Sequence, residues 1–225
     1  MDIKMSDLVS ELGGRTEGEF TNAQCVTALN SAQNMVVGLA DKELLIELAS
    51  IASLALTGEE GSTSCSLSSI DSVNNMILSI TQKDEPYMEY ELVDKLKANK
   101  LRRNNFLRPT RSNPKGYMIG KNFYSLCSDD EDGNLINIEH ISQPDVITSE
   151  DTNWALNPTL KEPLLLSGES YLWRADDEIE RSNDAYQKFV AYMQIINEKD
   201  IKMQTDDATI AQARKLKKDD NSRFI

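Results

Sequence analysis

The stretch from Phe20 to Gln33 constrains the fold of this chain more than any other. Thr21 is followed three residues later by Gln24, the spacing of a capping box, in which two side chains satisfy the free backbone groups at a helix start. Apolar residues such as Leu29 then recur at helical spacing, which predicts an amphipathic helix from Thr21 to about Ala40. Any fold for this chain has to bury one face of this helix.

Three further segments outside the middle of the chain show helical periodicity. Ser6 to Leu12 predicts a short helix that ends at Gly13-Gly14. Thr159 to about Ala175 and Asp177 to about Lys199 predict a pair of longer helices near the other end. Three aromatic residues at the starts and ends of these helices are interpreted as core anchors rather than as a stacking platform: Trp154, Tyr171 and Trp173.

The middle of the chain is predicted to contain strands, because apolar and polar residues alternate there. The predicted strands are Leu44 to Thr57, Cys65 to Ile70, Met76 to Ile80, a hairpin from Tyr117 to Cys127 that turns at Gly120, and Leu135 to Ile141, followed by a loop from Pro144 to Pro158. The first of these also contains residues that favour a helix, and a strand is preferred because turn-like residues follow it. One helix is predicted within this region, from Pro86 to Lys100, with four residues facing inward: Leu92, Val93, Leu96 and Leu101.

Together these elements predict an α+β fold. Helical N- and C-terminal segments form a bundle, an antiparallel β region is inserted between them, and an extended C-terminal arm ends the chain. The corresponding segments are residues 1–43, 44–150 (strand-rich, with one helix), 151–199 (a helix pair) and 200–225 (the arm). The last segment is polar and has no sustained apolar face, which is typical of a segment that becomes ordered on a partner.

Charge limits the partners that the chain can have. A net charge of −13 over 225 residues argues against wrapping around nucleic acid, which needs a surplus of Lys and Arg, but it permits a conduit that repels DNA. Residues 97–111 are strongly basic, with six Lys and Arg residues. This basic segment is interpreted as a contact with phosphates or with an acidic protein surface, in particular that of a neighbouring copy, and the alternative is a solvated loop. The candidate inter-subunit residues are Arg102, Arg103, Arg108 and Arg111.

The sequence offers little catalytic chemistry. His140 is the single histidine, so a multi-histidine metal site is excluded, and only chemistry that uses one histidine remains. Cys25, Cys65 and Cys127 form no closely spaced pair, which predicts reduced, buried thiols in a protein made in the cytosol. The amino terminus lacks a signal-peptide pattern, and apolar runs such as Leu164 to Leu166 are too short to cross a bilayer. We therefore expect no enzyme activity, no cofactor and no membrane association.

One acidic stretch has a spacing compatible with a metal site. Asp130, Asp132 and Glu139 hold the third, fifth and twelfth positions of an EF-hand-like loop that starts at Ser128, with Gly133 at the sixth. The first position is not Asp, and the flanking segments resemble strands, whereas an EF-hand needs helices. An acidic hairpin turn with glycine at its tip is the preferred interpretation, so no metal ligand is predicted.

Several of these segments, taken in order, resemble the head-to-tail adaptor (connector) proteins of tailed bacteriophages. The resemblance covers roughly residues 1–198. It rests on Phe20-Thr21-Asn22 with Leu29 to Gln33, the hairpin Tyr117 to Leu126, a strand that ends near Pro144, and a helix pair with Tyr186 and Phe189. Members of the family usually have a clearer Pro- or Tyr-marked strand after the second helix, whereas Leu44 to Thr57 is rich in Ala and Ser.

The resemblance implies a structural virion protein in the neck, between capsid and tail, that is synthesised in the host cytoplasm. About twelve copies would form a closed ring with head-to-tail contacts. The portal protein lies on one side of such a ring and a tail or nozzle protein on the other, and genomic DNA passes through the lumen without specific binding. The C-terminal arm would bind the portal through basic and apolar residues: Arg214, Lys215, Lys217, Lys218, Arg223, Phe224 and Ile225.

Three other functions stay open on the sequence. The chain is compatible with another neck or tail-completion ring subunit, such as a terminator ring further down, which would lack the contact between arm and portal. It is also compatible with a regulatory or scaffold-binding module outside the virion. A metal-binding protein that uses the acidic loop is the third alternative.

Overall fold

The computed structural model describes residues 3–59, 63–85, 87–104 and 108–198. In chain order, its elements are α1 (Met5–Arg15), α2 (Asn22–Leu39), a 3₁₀ segment (Lys42–Leu48), β1 (Ala49–Ala55), β2 (Ser64–Ser66), β3 (Ser72–Gln82), β4 (Glu91–Leu92), α3 (Lys95–Arg103), β5 (Lys115–Ile119), β6 (Asn122–Ser125), β7 (Leu135–Ser142), a 3₁₀ turn (Pro158–Leu160), α4 (Lys161–Ala175) and α5 (residues 179–198). The predicted α+β class is confirmed. Among the described residues, no helix combines the length and the hydropathy needed to span a bilayer.

The chain divides into two compact units. One, called the helical unit below, comprises the residues up to Glu47 and those from Pro144 onward, and it contains α1, α2, α4 and α5. The other, called the strand unit, runs from Leu48 to Gln143 and contains the seven strands and α3. Each unit has its own buried core.

The amino end of α2 forms where the capping box predicts it. The Thr21 hydroxyl accepts a hydrogen bond from the Gln24 backbone N–H at 3.4 Å, and the Gln24 side-chain oxygen accepts one from the Thr21 N–H at 2.9 Å. The helix then buries Leu29 and its other apolar residues against α4 and α1. At Gly168 of α4, a Cβ atom would lie 3.2 Å from the Leu12 side chain, so the glycine permits this close approach of the helices.

Helix α1 is longer than predicted. It passes through Gly13-Gly14 and ends at Arg15, so the predicted stop at the two glycines is wrong. The Arg15 guanidinium donates to both carboxylate oxygens of Glu162, at 2.9 and 2.7 Å, and the Thr16 hydroxyl donates to the carbonyl of Leu12 at 3.1 Å. These contacts hold the last turn in helical form, which offsets the weak helix propensity of glycine.

Residues 144–158 form an irregular segment, as predicted, and α2 holds it in place. The Asn30 amide nitrogen donates to the Ile147 carbonyl, and the Asn30 amide oxygen accepts from the Ile147 N–H, both at 2.9 Å. The Gln33 amide nitrogen donates to the Asp145 carbonyl at 2.8 Å, and the Gln33 oxygen accepts from the Trp154 indole at 2.9 Å. Two polar residues of the motif that begins at Phe20 therefore serve the packing of the helical unit.

The strand unit contains two sheets with strand orders β1-β7-β3 and β2-β6-β5-β4. The pairs are antiparallel except β4 and β5, which are parallel. The predicted hairpin is confirmed as β5 and β6, with Gly120 at a positive φ of 57° in the turn. Phe123 lies fully buried in the core, over Gly116, where a Cβ atom would come within 2.3 Å of its ring.

Several predicted boundaries in the strand unit are wrong. The first half of Leu44 to Thr57 is 3₁₀ and only its second half forms β1, while β2 is shorter and β3 longer than predicted. The helix predicted from Pro86 begins only at Lys95, because the Asp94 carboxylate accepts the Lys97 N–H at 2.8 Å and caps α3 there. Of the four residues predicted to face inward, Val93 is buried and Leu101 half-buried, but Leu92 and Leu96 are exposed.

Candidate interaction surface

The residues of the basic segment do not all serve the same contacts. The Lys97 ammonium lies 2.8 Å from a Glu91 carboxylate oxygen, and the other oxygen of Glu91 accepts from Lys115. These hydrogen bonds, from Lys115 first and then Lys97, lower the pKa of Glu91 to about 2. Arg111 donates from Nε to the Gln82 amide oxygen at 2.9 Å. Two of the six basic residues are therefore used within the strand unit itself.

The other arginines of the segment remain on the surface. The Arg102 guanidinium lies 5.3 Å from the centre of the Tyr117 ring, a cation–π contact. Arg103 and Arg108 are exposed. Within the described part of the chain, no ion pair involves Arg102, Arg103 or Arg108. Three of the four candidate inter-subunit arginines are thus available to a partner, whereas Arg111 also lies 3.6 Å from Glu85.

The residues predicted to bind the portal lie outside the described residues. All seven fall between residues 199 and 225. They are Arg214, Lys215, Lys217, Lys218, Arg223, Phe224 and Ile225. Their role stays a prediction from the sequence.

The acidic residues of the EF-hand-like stretch do not converge on one point. Asp130 is buried and accepts hydrogen bonds from the Tyr90 hydroxyl at 2.8 Å and from Ser125. Asp132 accepts the Gly58 N–H at 3.1 Å, and Glu139 accepts from Ser79 at 3.0 Å. Among the described residues, no group of three or more His, Cys, Asp or Glu is placed to hold a metal ion. The stretch forms a turn between strands, stabilised by internal hydrogen bonds.

A polar cavity of about 170 Å³ lies beside Asp130 in the strand unit. Its lining includes Gln82, Tyr90, Arg111 and Asn134. The Gln82 amide nitrogen is buried and makes no hydrogen bond of good geometry with a described residue. The Gln82 amide still lies near the Tyr90 hydroxyl and acts to lower the pKa of Tyr90. Burial, together with the Asp130 charge, raises the pKa of Tyr90. A space of this size with polar walls suits ordered water.

The three cysteines and the single histidine are buried. All three thiols are free and buried, and burial raises the pKa of Cys65 and of Cys127 to about 11. At neutral pH such groups stay protonated and are poor nucleophiles. His140 is buried in β7 with one ring nitrogen 3.3 Å from the Ile138 carbonyl and the other 3.4 Å from the Ser142 hydroxyl.

The helical unit exposes a group of large apolar side chains. Met35 of α2, Tyr171 of α4 and Tyr186 of α5 are 44%, 46% and 47% exposed and line a shallow hollow of about 180 Å³. A second hollow of about 250 Å³, with mostly apolar walls, includes Phe20 and Leu172 and shares Tyr171. The exposed Met35, Tyr171 and Tyr186, together with the half-buried Phe20, are called the helical apolar surface below. A contiguous exposed patch of this kind marks an interaction site more often than a random surface does.

The sequence prediction for the aromatic residues is correct in part. Trp154 and Trp173 are buried as predicted, but Tyr171 is half-exposed rather than a core anchor. The sequence prediction did not consider that α5 has more apolar residues than one buried stripe needs. The buried stripe includes Phe189 and Met193, and further large apolar residues lie outside it. The excess of apolar residues over one stripe leaves a second, exposed apolar face on this helix.

Acidic residues lie next to the helical apolar surface, at the junction of α4 and α5. All are exposed: Asp176, Asp177, Glu178, Glu180 and Asp184. Basic residues lie among them: Arg181, with its guanidinium 4.5 Å from the centre of the Trp173 ring, Arg174, which lines the first hollow, and Lys188, which pairs with Asp184 at 2.6 Å. The helical unit therefore presents an apolar patch with an acidic border, opposite in sign to the basic segment of the strand unit.

Comparison with known proteins adds no relative, since no protein-family model matches the chain and no curated protein matches it. The surfaces described above therefore have to be interpreted from their own chemistry. They are an apolar patch with an acidic border on the helical unit and a basic segment on the strand unit.

Proposed function

We propose that this chain is a structural subunit of a ring, the head-to-tail adaptor that joins the portal to the tail of a phage particle. The helical apolar surface is the observation that carries the proposal. Met35, Tyr171 and Tyr186 remain about half-exposed although each lies on a helix whose other face is buried. A subunit that stays alone in solution gains nothing from this exposure, whereas a subunit in a ring covers such a patch with its neighbour.

Apolar burial alone does not hold the neighbours together. Covering the remaining exposed half of three such side chains contributes on the order of 3 kcal/mol. Association costs at least about 4 kcal/mol in lost translational and rotational freedom, so a second source of affinity is needed. A weak contact of this kind suits a subunit that assembles only when a portal is present.

Charge complementarity is the second source. The exposed arginines Arg102, Arg103 and Arg108 of one copy meet the acidic border between Asp176 and Asp184 of the next copy. Two different surfaces are used, so the contact is head-to-tail, and such contacts generate a closed ring when the rotation closes. With a net charge of −13 per copy, the ring presents acidic residues to its lumen and lets DNA pass without binding it.

The arrangement of segments in the ring follows from the resemblance to the adaptor family. The N- and C-terminal helices form a bundle that makes the ring wall. The C-terminal arm, residues 200–225, docks on the portal through its basic residues and its apolar end. The protein catalyses no reaction, carries no cofactor and resides in the neck of the virion.

The test is sedimentation of the full chain, alone and mixed with portal rings from the phage that encodes it. We expect a small species alone and a stoichiometric ring on the portal. Absence of any shift with the portal contradicts the adaptor proposal and leaves a ring further down the tail or a module outside the virion. Retention in purified particles separates these two outcomes.

Two variants locate the contacts. Charge reversal of Arg102→Glu with Arg103→Glu is expected to weaken ring closure, while the matched reversal of Lys83→Glu with Lys121→Glu, elsewhere in the strand unit, leaves it intact. Unchanged assembly of the first variant counts against the inter-subunit role. Deletion of residues 200–225 is expected to leave a folded protein that no longer docks, and loss of folding would refute this role for the arm.

A further inference from the structure

Strand β1 lies at an open edge of its sheet. The strand order β1-β7-β3 gives β1 a single neighbour, and all seven of its residues pair with β7 without a break in register. Ala52 and Leu54 pack against the core of the strand unit. Ile51, on the opposite face, is 68% exposed.

The backbone groups at this edge can be assigned from the register. The Leu56 N–H donates to the Asn134 carbonyl at 2.8 Å, in the same register as the β1–β7 pair. Hydrogen-bonded pairs alternate along an antiparallel ladder, so the even-numbered residues of β1 bond to β7. The N–H and C=O groups of Ile51 and Ser53 point the other way, and no described residue bonds to them there. Among the described residues, backbone pairing on this outward side begins at Thr57, beyond the end of β1, where Thr57 pairs with Ser64.

The edge of β1 lacks the devices that normally protect an open strand. Its sequence, Ala49 to Ala55, contains no charge, no Pro and no Gly. The opposite edge strand β3 is protected, because its register breaks between Ser72 and Ser79 and because the backbone of residues 88–90 covers its end. The edge strands of the second sheet, β2 and β4, have only three and two residues.

Charge depletion points to a protein occupant, and to a second copy in particular. From Leu48 to Gln82 the charged residues are Glu59, Glu60 and Asp71, in a chain of which 27% is charged. Depletion of charge is the compositional mark of an interface core. Copies that each carry −13 repel one another, and they approach with least repulsion through an uncharged strand.

We infer that β1 pairs with β1 of a second copy, antiparallel about a twofold axis at Ala52. In this register all seven residues of each strand pair, and the outward groups of Ile51 meet those of Ser53 of the second copy. No charged residue of either strand faces another, and the three-stranded sheets of both copies join into one sheet of six. The contact is isologous, so it goes beyond the proposed ring, which uses head-to-tail contacts, and does not depend on it.

The pairing is expected to be weak. Seven residues a side are far fewer than the roughly 20–30 residues a side of a standard stable interface. We therefore expect monomers at about 1 μM and dimers at about 100 μM or above, the range of transient contacts.

The test is sedimentation equilibrium of the full chain, without portal, over this range of concentration. Ile51→Lys places a charge on the edge and is expected to weaken dimerisation at least tenfold, whereas Leu96→Lys, at an equally exposed leucine of α3, leaves it unchanged. A wild-type chain that stays monomeric throughout, or an Ile51→Lys variant that dimerises like the wild type, would overturn the inference. Ile51→Lys is expected still to form a ring on the portal, so loss of the dimer can be told apart from loss of the proposed ring.

A disulfide tests the register. Residues opposite each other in a non-hydrogen-bonded pair have Cα atoms about 4.5 Å apart, within reach of a disulfide. Ala52→Cys is therefore expected to form a covalent dimer under mild oxidation. Ser53→Cys is the matched control. The two copies of residue 53 lie diagonally across the twofold axis, about 7–8 Å apart, which is too far for a direct disulfide. Cross-linking of Ser53→Cys but not of Ala52→Cys would overturn the proposed axis.

Discussion

Replacement of Asn30 by alanine is expected to destabilise the helical unit more than the loss of one polar side chain usually does. The Asn30 amide exchanges two hydrogen bonds of 2.9 Å with the backbone of Ile147, and its nitrogen also donates to the Val26 carbonyl at 2.9 Å. Ile147 is fully buried, so neither its N–H nor its C=O reaches water when the amide is removed. Two unsatisfied buried groups cost about 1–3 kcal/mol each.

The expected net loss of stability is about 1.5–5.5 kcal/mol, because alanine also recovers roughly 0.5 kcal/mol of helix propensity at this position. Urea unfolding, followed by circular dichroism, measures the loss as a lower midpoint with a similar slope. Asn34→Ala is the control, because Asn34 lies on the same helix with its side chain exposed. We expect it to change stability by less than about 0.5 kcal/mol.

A loss below about 0.5 kcal/mol for Asn30→Ala would refute the reasoning, since it would mean that the segment around Ile147 is held by its apolar packing alone. Asn30→Asp separates the two bonds further. The carboxylate keeps the acceptor for the Ile147 N–H but loses the donor to the Ile147 carbonyl. Its second oxygen would face the carbonyl oxygens of Val26 and Ile147, which repel it, so we expect this variant to be at least as destabilised as Asn30→Ala near neutral pH.

Three other predictions follow from the strand unit and from the helices. Gly116→Ala places a Cβ about 2.3 Å from the Phe123 ring and is expected to destabilise the protein by about 3 kcal/mol or to prevent folding. At Gly13 a Cβ has nothing within 4 Å, so Gly13→Ala is expected to stabilise α1 by up to about 1 kcal/mol, measured by the same urea unfolding. The pKa of Glu91 is lowered to about 2 in the folded state, so the carboxylate stabilises the fold above the pKa it has in the unfolded chain, and this stabilisation is lost as pH falls toward 2. Carboxyl NMR titration should show a midpoint near 2 for Glu91, and Glu91→Gln should remove this part of the acid dependence of stability. The thiols of Cys65 and Cys127, with pKa values of about 11, should react with a thiol reagent at pH 8 only after denaturation, and rapid labelling of the folded chain would contradict their burial.

The two association surfaces make different demands on the chain. The helical apolar surface and the basic segment form a head-to-tail pair of unlike surfaces, whereas β1 pairs only with itself. Tyr186→Glu is therefore expected to impair the ring without changing the dimer of the free protein. Ile51→Lys is expected to do the reverse.

Parts of the fold that depend on residues close in sequence were predicted correctly. The start of α2 follows from the contact between Thr21 and Gln24, three residues apart, and the hairpin follows from a glycine at Gly120. The long helices near the carboxyl end follow from the spacing of their apolar residues. In each case the deciding interaction lies within one turn of the chain, so the order of residues contains it.

The errors concern residues whose environment is set from far away. Local propensity predicts that Gly13-Gly14 ends α1, but Arg15 is held by Glu162, 147 residues further along the chain. Leu92 was predicted to face inward on the periodicity of a helix, but that segment forms β4 and leaves it exposed. Periodicity shows that a residue is apolar and not which partner covers it.

The candidate surfaces show the same division. The sequence by itself determined the charges, the helices and the uncharged stretch around β1, because composition and spacing are local properties. Only the tertiary structure decided that Tyr171 and Tyr186 share a hollow, that Asn30 holds Ile147 and that β1 lies at an edge. Each of these depends on contacts between distant segments, and the free energy of such contacts is set by which faces meet once both segments have folded.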